Sequence, residues 1–170
     1  GVAAIGWNAS GINSLRLPAP SAQDSERAIA RHLPDAVRAD PPPEVAVVID
    51  AIRRYFAGQR VDFSDVPVDL GPQELFFTRV YDVVCQLGWG ETTTYGAVAR
   101  MLGVGPEYAR SVGQAMARNP VPLIVPCHRV MAAGGKIGGF SAPGGAMSKA
   151  RMLALEGVAP PETAQQGFDF

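Results

Sequence analysis

The stretch that organises the rest of the chain is Pro126-Cys127-His128-Arg129-Val130, which closes the apolar run Val121–Val125. It sets a thiol beside an imidazole inside a hydrophobic segment. A free cysteine has a pKa of about 8.5 and reacts poorly until a base, commonly a histidine, takes its proton. Side chains of adjacent residues in an extended segment point to opposite faces. Contact between Cys127 and His128 therefore needs a turn, or else a water must relay the proton. A buried structural thiol followed by a surface histidine is the alternative.

The residues before this segment predict a small α/β lobe. Alternating apolar runs on both sides of Asn8-Ala9-Ser10-Gly11 predict a hairpin, because those four residues favour a turn. Apolar residues at i, i+3 and i+4 spacing predict helices further on. Pro67 favours an edge position for the last extended stretch. The predicted elements are strands Val2–Trp7 and Ile12–Leu17, helices Ser25–Arg38 and Glu44–Gly58, and the extended segment Val61–Leu70.

The following part of the chain predicts a mostly helical domain. After the linker Gly71-Pro72, a helix is expected over Gln73–Leu87, with Cys85 packed beside its apolar stripe. Thr94 offers an N-cap hydroxyl for a helix Tyr95–Leu102. Glycines then break the chain, and a second short helix begins at Pro106. Two short helices around such a break predict a helix-turn-helix.

The segment around Cys127 and everything after it is expected to be less regular. Three prolines bar Pro120–Pro126 from a central strand, so we predict a buried extended segment. The glycine-dense run Gly134–Gly145 predicts a loop, and Lys149–Leu155 a helix that leads into Glu156. We therefore expect an α+β protein with an N-terminal α/β lobe over residues 1–70, a C-terminal domain over 71–157 and a flexible tail over 158–170.

Composition excludes several classes of protein. The 170 residues carry a net charge of −1, which argues against a general binder of polyanions. Between Glu91 and Gly157, however, basic residues outnumber acidic ones by seven to three. Two cysteines give no disulfide framework, and no signal peptide or membrane-length apolar run is present, so a cytoplasmic protein is expected. No set of cysteines and histidines suggests a metal site.

The active-site segment, Asn119–Val130, closely resembles the active-site motif of the 6-O-alkylguanine-DNA alkyltransferases, also called methylated-DNA–protein-cysteine methyltransferases. Further matching pieces follow the order of that family. They are Thr94-Tyr95-Gly96, Ala109-Arg110-Ser111-Val112-Gly113, the glycine-rich run to Phe140-Ser141, and Leu155-Glu156-Gly157. The resemblance is strong from about Glu74 to Gly157 and loose before it.

This resemblance implies repair of DNA by direct reversal. An alkyl group, methyl foremost, would pass irreversibly from O6 of guanine to Cys127, after the base is flipped out of the duplex. It also implies a ribonuclease-H-like N-terminal lobe, no cofactor, and a partner that is double-stranded DNA containing alkylated guanine. We expect the protein to act as a monomer.

The resemblance assigns three groups of site residues. A relay of Glu156, His128 and water would deprotonate Cys127, although on its own Glu156 suggests only an exposed helix end. The remaining catalytic residues would be Asn119, which pins the active-site turn, and Tyr95, which hydrogen-bonds the guanine. The DNA-binding residues would be Ala109, Arg110, Ser111, Gly113 and Gln114, with Arg110 entering the duplex. The base pocket would comprise Met116, Val130, Phe140 and Ser141.

Some residues depart from the family pattern, and two other functions are considered. Phe140 stands where the family often has tyrosine, and Ala142-Pro143 is an insertion relative to the shorter family loop. Both bear on which alkyl groups the pocket accepts. One alternative is a lesion-binding alkyltransferase-like protein, but those proteins replace the cysteine that is present here. The other is a cysteine hydrolase, for which the sequence shows no oxyanion hole.

Overall fold

The N-terminal half begins with the predicted hairpin. The protein is described by a computed structural model that covers residues 1–158. Strands β1 (Val2–Asn8) and β2 (Gly11–Ala19) pair antiparallel, and the backbone N–H of Ser10 donates to Asn8 Oδ1 in the turn. The predicted edge segment runs beside the start of β2, where Ile12 bridges to Val68. Pro67 contributes only its carbonyl, which accepts from the Ile12 N–H, as expected at an edge.

Two helices follow the hairpin, and one of them differs from its prediction. Helix α1 (Ala22–His32) starts earlier than predicted because the Ser21 hydroxyl caps the N–H of Asp24. It ends at His32, well before the predicted end, because Pro34 has no N–H to continue the hydrogen-bond ladder. Helix α2 (Pro43–Phe56) lies where its apolar spacing predicts it.

The C-terminal half is mostly helical, with one very short parallel sheet. Thr94 caps the N–H of Ala97, which confirms the predicted helix start at Tyr95. The second short helix begins as a 3₁₀ turn, Pro106–Tyr108, and continues as an α-helix from Ala109. The elements are α3 (Leu75–Val84), β3 (Thr93–Thr94), α4 (Tyr95–Met101), α5 (Ala109–Ala117), β4 (Val130–Met131) and α6 (Gly145–Leu155). Strands β3 and β4 pair parallel, so the end of the active-site segment is hydrogen-bonded beside the start of α4.

The active-site segment is shared by two hydrophobic cores. Its first apolar residues, Val121, Leu123 and Ile124, join the core of the N-terminal half. Its later residues, including Cys127 and Val130, join the core built by α3, α4 and α5. The segment therefore fixes how the two halves sit together, and Cys127 lies where the cores meet.

The structure contradicts the prediction for Cys85 and does not test the prediction for the tail. The packing predicted for Cys85 is wrong, because Cys85 caps the C-terminus of α3, one residue past the buried Val84, and is exposed. The predicted flexible tail, 158–170, lies outside the described residues apart from Val158. Within the described part of the chain, no helix is long and apolar enough to cross a membrane.

Candidate active site

The backbone of the active-site segment is pinned by one side chain. Asn119 is buried, and its amide donates to the carbonyl of Val125 at 2.8 Å while its Oδ1 accepts from the N–H of Val121 at 3.0 Å. Leu123, inside this loop, has a φ of 79°, which is unusual for a residue other than glycine. The two Asn119 bonds and the burial of Leu123 hold the loop in that conformation.

Cys127 opens a 3₁₀ turn, Cys127–Arg129, so the chain does turn between the thiol and the imidazole. Both side chains are buried. Burial raises the pKa of the Cys127 thiol, although the Asn119 side chain and the Lys149 ammonium pull it down in part. Burial also lowers the pKa of His128, which Glu156 partly opposes. At neutral pH the thiol therefore keeps its proton and the imidazole is free to accept one.

The two ring nitrogens of His128 have different surroundings. Nε2 lies 2.7 Å from Glu156 Oε1. Because that carboxylate only accepts hydrogen bonds, Nε2 carries the proton of the neutral ring. Nδ1 is buried and bonds to no atom of residues 1–158. This nitrogen therefore carries the lone pair that can accept a proton.

Glu156 is held by four donor residues from three parts of the chain. Oε1 accepts from His128, from the Tyr55 hydroxyl at 2.9 Å and from Arg129 Nη2 at 3.0 Å. Oε2 accepts from Arg129 Nε at 2.9 Å and from the N–H of Gly90 at 3.1 Å. Despite its burial, the bonds from His128, Arg129 and Gly90 hold the pKa of Glu156 down to about 2. Glu156 therefore stays ionised and orients His128 rather than taking its proton.

Gly90 can make its bond only because it is a glycine. Its φ is 75°, and a Cβ at this position would lie 3.0 Å from the carbonyl oxygen of Glu156. A side chain would thus add backbone strain and push the loop away from the carboxylate.

A buried lysine lies beside the Tyr95 phenol. Lys149 is fully buried, and its ammonium donates to the carbonyl of Val130 at 2.6 Å and to the Tyr95 hydroxyl at 3.3 Å. Burial lowers the pKa of Lys149 to about 8, while proximity to Cys127 favours its charged form. The ammonium therefore brings positive charge to the thiol and to the Tyr95 phenol.

A groove of about 1270 Å³ opens onto Cys127. Of the residues predicted for the base pocket, Met116, Phe140 and Ser141 line it, and the Ser141 hydroxyl donates to the carbonyl of Ala117. Val130 is not a lining residue, and its carbonyl is occupied by Lys149. The opposite wall comes from the N-terminal half, with residues such as Leu15, Arg16, Leu17, Ala28 and Arg31.

The residues predicted to bind DNA lie on α5, outside that groove. Arg110 and Gln114 are exposed one turn apart, and Ala109, Ser111 and Gly113 are half-buried beside them. A Cβ on Gly113 would lie 4.0 Å from the Tyr95 ring, so α5 and α4 pack closely at this point. The outer surface of α5 therefore combines small residues with the exposed guanidinium side chain of Arg110.

Three site residues were missed from the sequence. Tyr55 was assigned only to the apolar stripe of α2, although a buried phenol needs a hydrogen-bond partner. Arg129 stands inside the active-site segment, but nothing local shows that it pairs with Glu156. Lys149 looks like a surface lysine of a predicted helix. Residues 1–158 contain no cluster of side chains that could hold a metal ion.

Fold and site together define a protein in which a buried cysteine shares a 3₁₀ turn with a histidine that a buried glutamate holds. A family model described as "6-O-methylguanine DNA methyltransferase, DNA binding domain" matches residues 75–158. The solved structure of Mycobacterium tuberculosis OGT in complex with DNA is 33% identical, with a TM-score of 0.69 over 92% of this chain and 87% of that one. The chain belongs to the family of methylated-DNA–protein-cysteine methyltransferases.

Two curated relatives add detail. The methylated-DNA–protein-cysteine methyltransferase of Methanothermobacter thermautotrophicus is 41% identical over 118 residues, which are 69% of this chain. The match spans 64% of that relative, a little under two thirds of its length. A protein of Thermus thermophilus named DNA base-flipping protein is 42% identical over 65% of this chain and 72% of its own.

Proposed function

We propose that the protein repairs DNA by moving a methyl or other alkyl group from O6 of guanine to Cys127, once per molecule. The observation that carries this proposal is the buried Nδ1 of His128, which has no hydrogen-bond partner among residues 1–158, while Glu156 fixes the other nitrogen at 2.7 Å. It gives a buried thiol next to a neutral base with one lone pair free. No cofactor is needed for this chemistry.

The reaction balances with the groups present. The Cys127 proton passes to Nδ1 of His128, through a water where direct contact is lacking, and the thiolate attacks the alkyl carbon. The S–C bond forms as the C–O6 bond breaks, and the electron pair moves to the guanine oxygen and ring. A proton returned to the ring restores neutral guanine. The thioether has no leaving group of similar quality, so the protein is spent.

Tyr95 and Lys149 are assigned to the leaving base. The Tyr95 phenol would hydrogen-bond the purine ring as negative charge builds there. The Lys149 ammonium donates to the Tyr95 oxygen at 3.3 Å, which makes the phenol a stronger donor. Stabilising charge that develops only in the transition state is what speeds the transfer.

Helices α4 and α5 are assigned to DNA as a helix-turn-helix, and the N-terminal half is assigned the ribonuclease-H-like fold of the family. The small residues Ala109, Ser111 and Gly113 would let α5 approach the duplex closely. Arg110 would stack in the gap that the flipped base leaves, offsetting the few kcal/mol that flipping costs. We propose that the protein works as a monomer in a reducing compartment such as the cytoplasm, because Cys127 must stay a free thiol.

The alternative is a protein that binds the lesion without repairing it. The similarity to a relative named DNA base-flipping protein favours it. The presence of Cys127 beside a neutral His128 argues for transfer instead.

Mass spectrometry decides between these functions. After incubation with a duplex carrying O6-methylguanine, we expect a gain of one methyl group per protein, located on Cys127 and absent in Cys127→Ser. Binding without a mass change would support the alternative. Repeated turnover of a substrate by Cys127 would support a hydrolase and overturn alkyl transfer.

A further inference from the structure

We infer that Tyr55, supplied by α2 of the N-terminal half, is a positioning residue that keeps His128 neutral and its Nδ1 free. This assignment rests on the proposed function and adds to it a residue that acts through Glu156. Tyr55 is fully buried, and its hydroxyl donates to Glu156 Oε1 at 2.9 Å while lying 3.4 Å from His128 Nε2.

The direction of the Tyr55 bond follows from its surroundings. Burial and the nearby Glu156 charge raise the pKa of Tyr55, so the phenol keeps its proton and must donate. It therefore shares Oε1 with His128 Nε2 and Arg129 Nη2. Each donor draws electron density from the same oxygen, which weakens the pull of the carboxylate on a proton added to the imidazole.

The other charged groups around His128 either oppose its protonation, as the Tyr55 hydrogen bond does, or favour it. Lys149 from α6 and Arg129 from the same turn disfavour the imidazolium, and Glu156, just after α6, favours it. Cys127 faces the site as a neutral thiol, because burial raises its pKa. The Tyr55 hydrogen bond to the carboxylate adds to the effects that disfavour the imidazolium. Removing the Tyr55 hydroxyl leaves Glu156 more basic and stabilises the charged imidazole.

The ring of Tyr55 has a separate packing role. Its neighbours are aromatic, with the Trp89 ring 5.5 Å away edge-on and the Phe63 ring at 6.2 Å. A phenylalanine keeps those contacts and removes only the hydroxyl. Tyr55→Phe therefore tests the hydrogen bond without opening a cavity.

Histidine NMR gives a readout that does not depend on DNA. The chain has two histidines, so with ¹³C-labelled histidine the exposed His32 serves as an internal reference. In Tyr55→Phe we expect the titration midpoint of His128 to rise by about one pH unit, a tenfold change in the balance between its two forms. The acid limb of the pH profile of methyl transfer should rise with it, since only neutral imidazole accepts the thiol proton.

The matched control is Tyr81→Phe. Tyr81 is equally buried, and its hydroxyl donates to the carbonyl of Ala115 at 2.8 Å, away from the His–Glu pair. The Tyr81→Phe variant loses a buried hydroxyl but keeps every hydrogen bond to Glu156, so the titration midpoint of His128 should stay at the wild-type value. If the midpoint and the rate profile of Tyr55→Phe both superimpose on those of the wild type, the assignment of Tyr55 is wrong. If the wild type takes up no methyl group while the midpoint still shifts, alkyl transfer fails and the coupling of Tyr55 to His128 stands.

Discussion

At the scale of single residues, the proposed transfer depends on Glu156 remaining ionised. Five hydrogen bonds from four residues converge on its two oxygens. A carboxylate so well satisfied does not compete for the thiol proton, which supports His128 as the proposed acceptor. Arg129 balances its charge, and breaking such a buried pair by removing one partner costs about 3–5 kcal/mol.

The depressed pKa of Glu156 predicts how stability depends on pH. Its folded pKa of about 2 lies below the ordinary value of 4.5. Its contribution is therefore fully present above pH 4.5 and is lost as pH falls towards 2. In urea unfolding near neutral pH, Glu156→Gln should have a much lower free energy of unfolding than the wild type. This difference in free energy should become smaller on acidification. The control Glu74→Gln removes an exposed pair with Arg118 and should cost under about 1 kcal/mol. A gap that stays constant with pH would contradict the role given to Glu156.

At the scale of elements, most helices and the hairpin were predictable, because periodicity and capping residues are local. The adjacent Cys127 and His128, which are proposed to form the relay, were visible for the same reason. The connection of Glu156 to Tyr55 was not, since 101 residues separate them and no local pattern encodes the contact. Both ends of α1 shifted because a side-chain cap and a proline outweighed the apolar spacing, whereas α6 begins at Gly145, before the predicted Lys149.

Helix α5 carries the prediction for DNA. Arg110→Ala should slow methyl transfer from duplex DNA by at least about tenfold, because nothing then fills the gap left by the flipped base. Transfer from the free base O6-methylguanine should be unchanged, since that substrate needs no flipping. The control Arg53→Ala removes an exposed arginine of α2, far along the chain from α5, and should leave both rates near wild type. Equal losses on both substrates would show that Arg110 supports the fold and not base flipping.

At the scale of the whole molecule, the active-site segment ties the two cores into one unit. Leu123 packs in the first core and Cys127 in the second, only four residues later. A substitution that destabilises the first core should therefore also expose the Cys127 thiol, although the two halves were predicted as separate domains.

Two substitutions in α2 test this coupling. Ile52→Ala removes a buried side chain of the first core and should cost about 2–5 kcal/mol. Labelling of Cys127 by a thiol reagent in urea should then begin at the same lower concentration as the loss of helical signal. Val47 lies on the same helix but is 67% exposed. Val47→Ala should therefore change neither the onset of Cys127 labelling nor the loss of helical signal. If labelling of Cys127 begins at the same urea concentration in Ile52→Ala as in the wild type, the two halves unfold independently.

The convergence of Tyr55 and Glu156 on one imidazole also bears on biosynthesis. A ribosome releases Tyr55 early, the cysteine much later and Glu156 near the end of the described chain. Until all three have met, the sulfur has no prepared base. The His–Glu pair proposed to deprotonate Cys127 is therefore assembled only after Glu156 has been synthesised and the chain has folded around it.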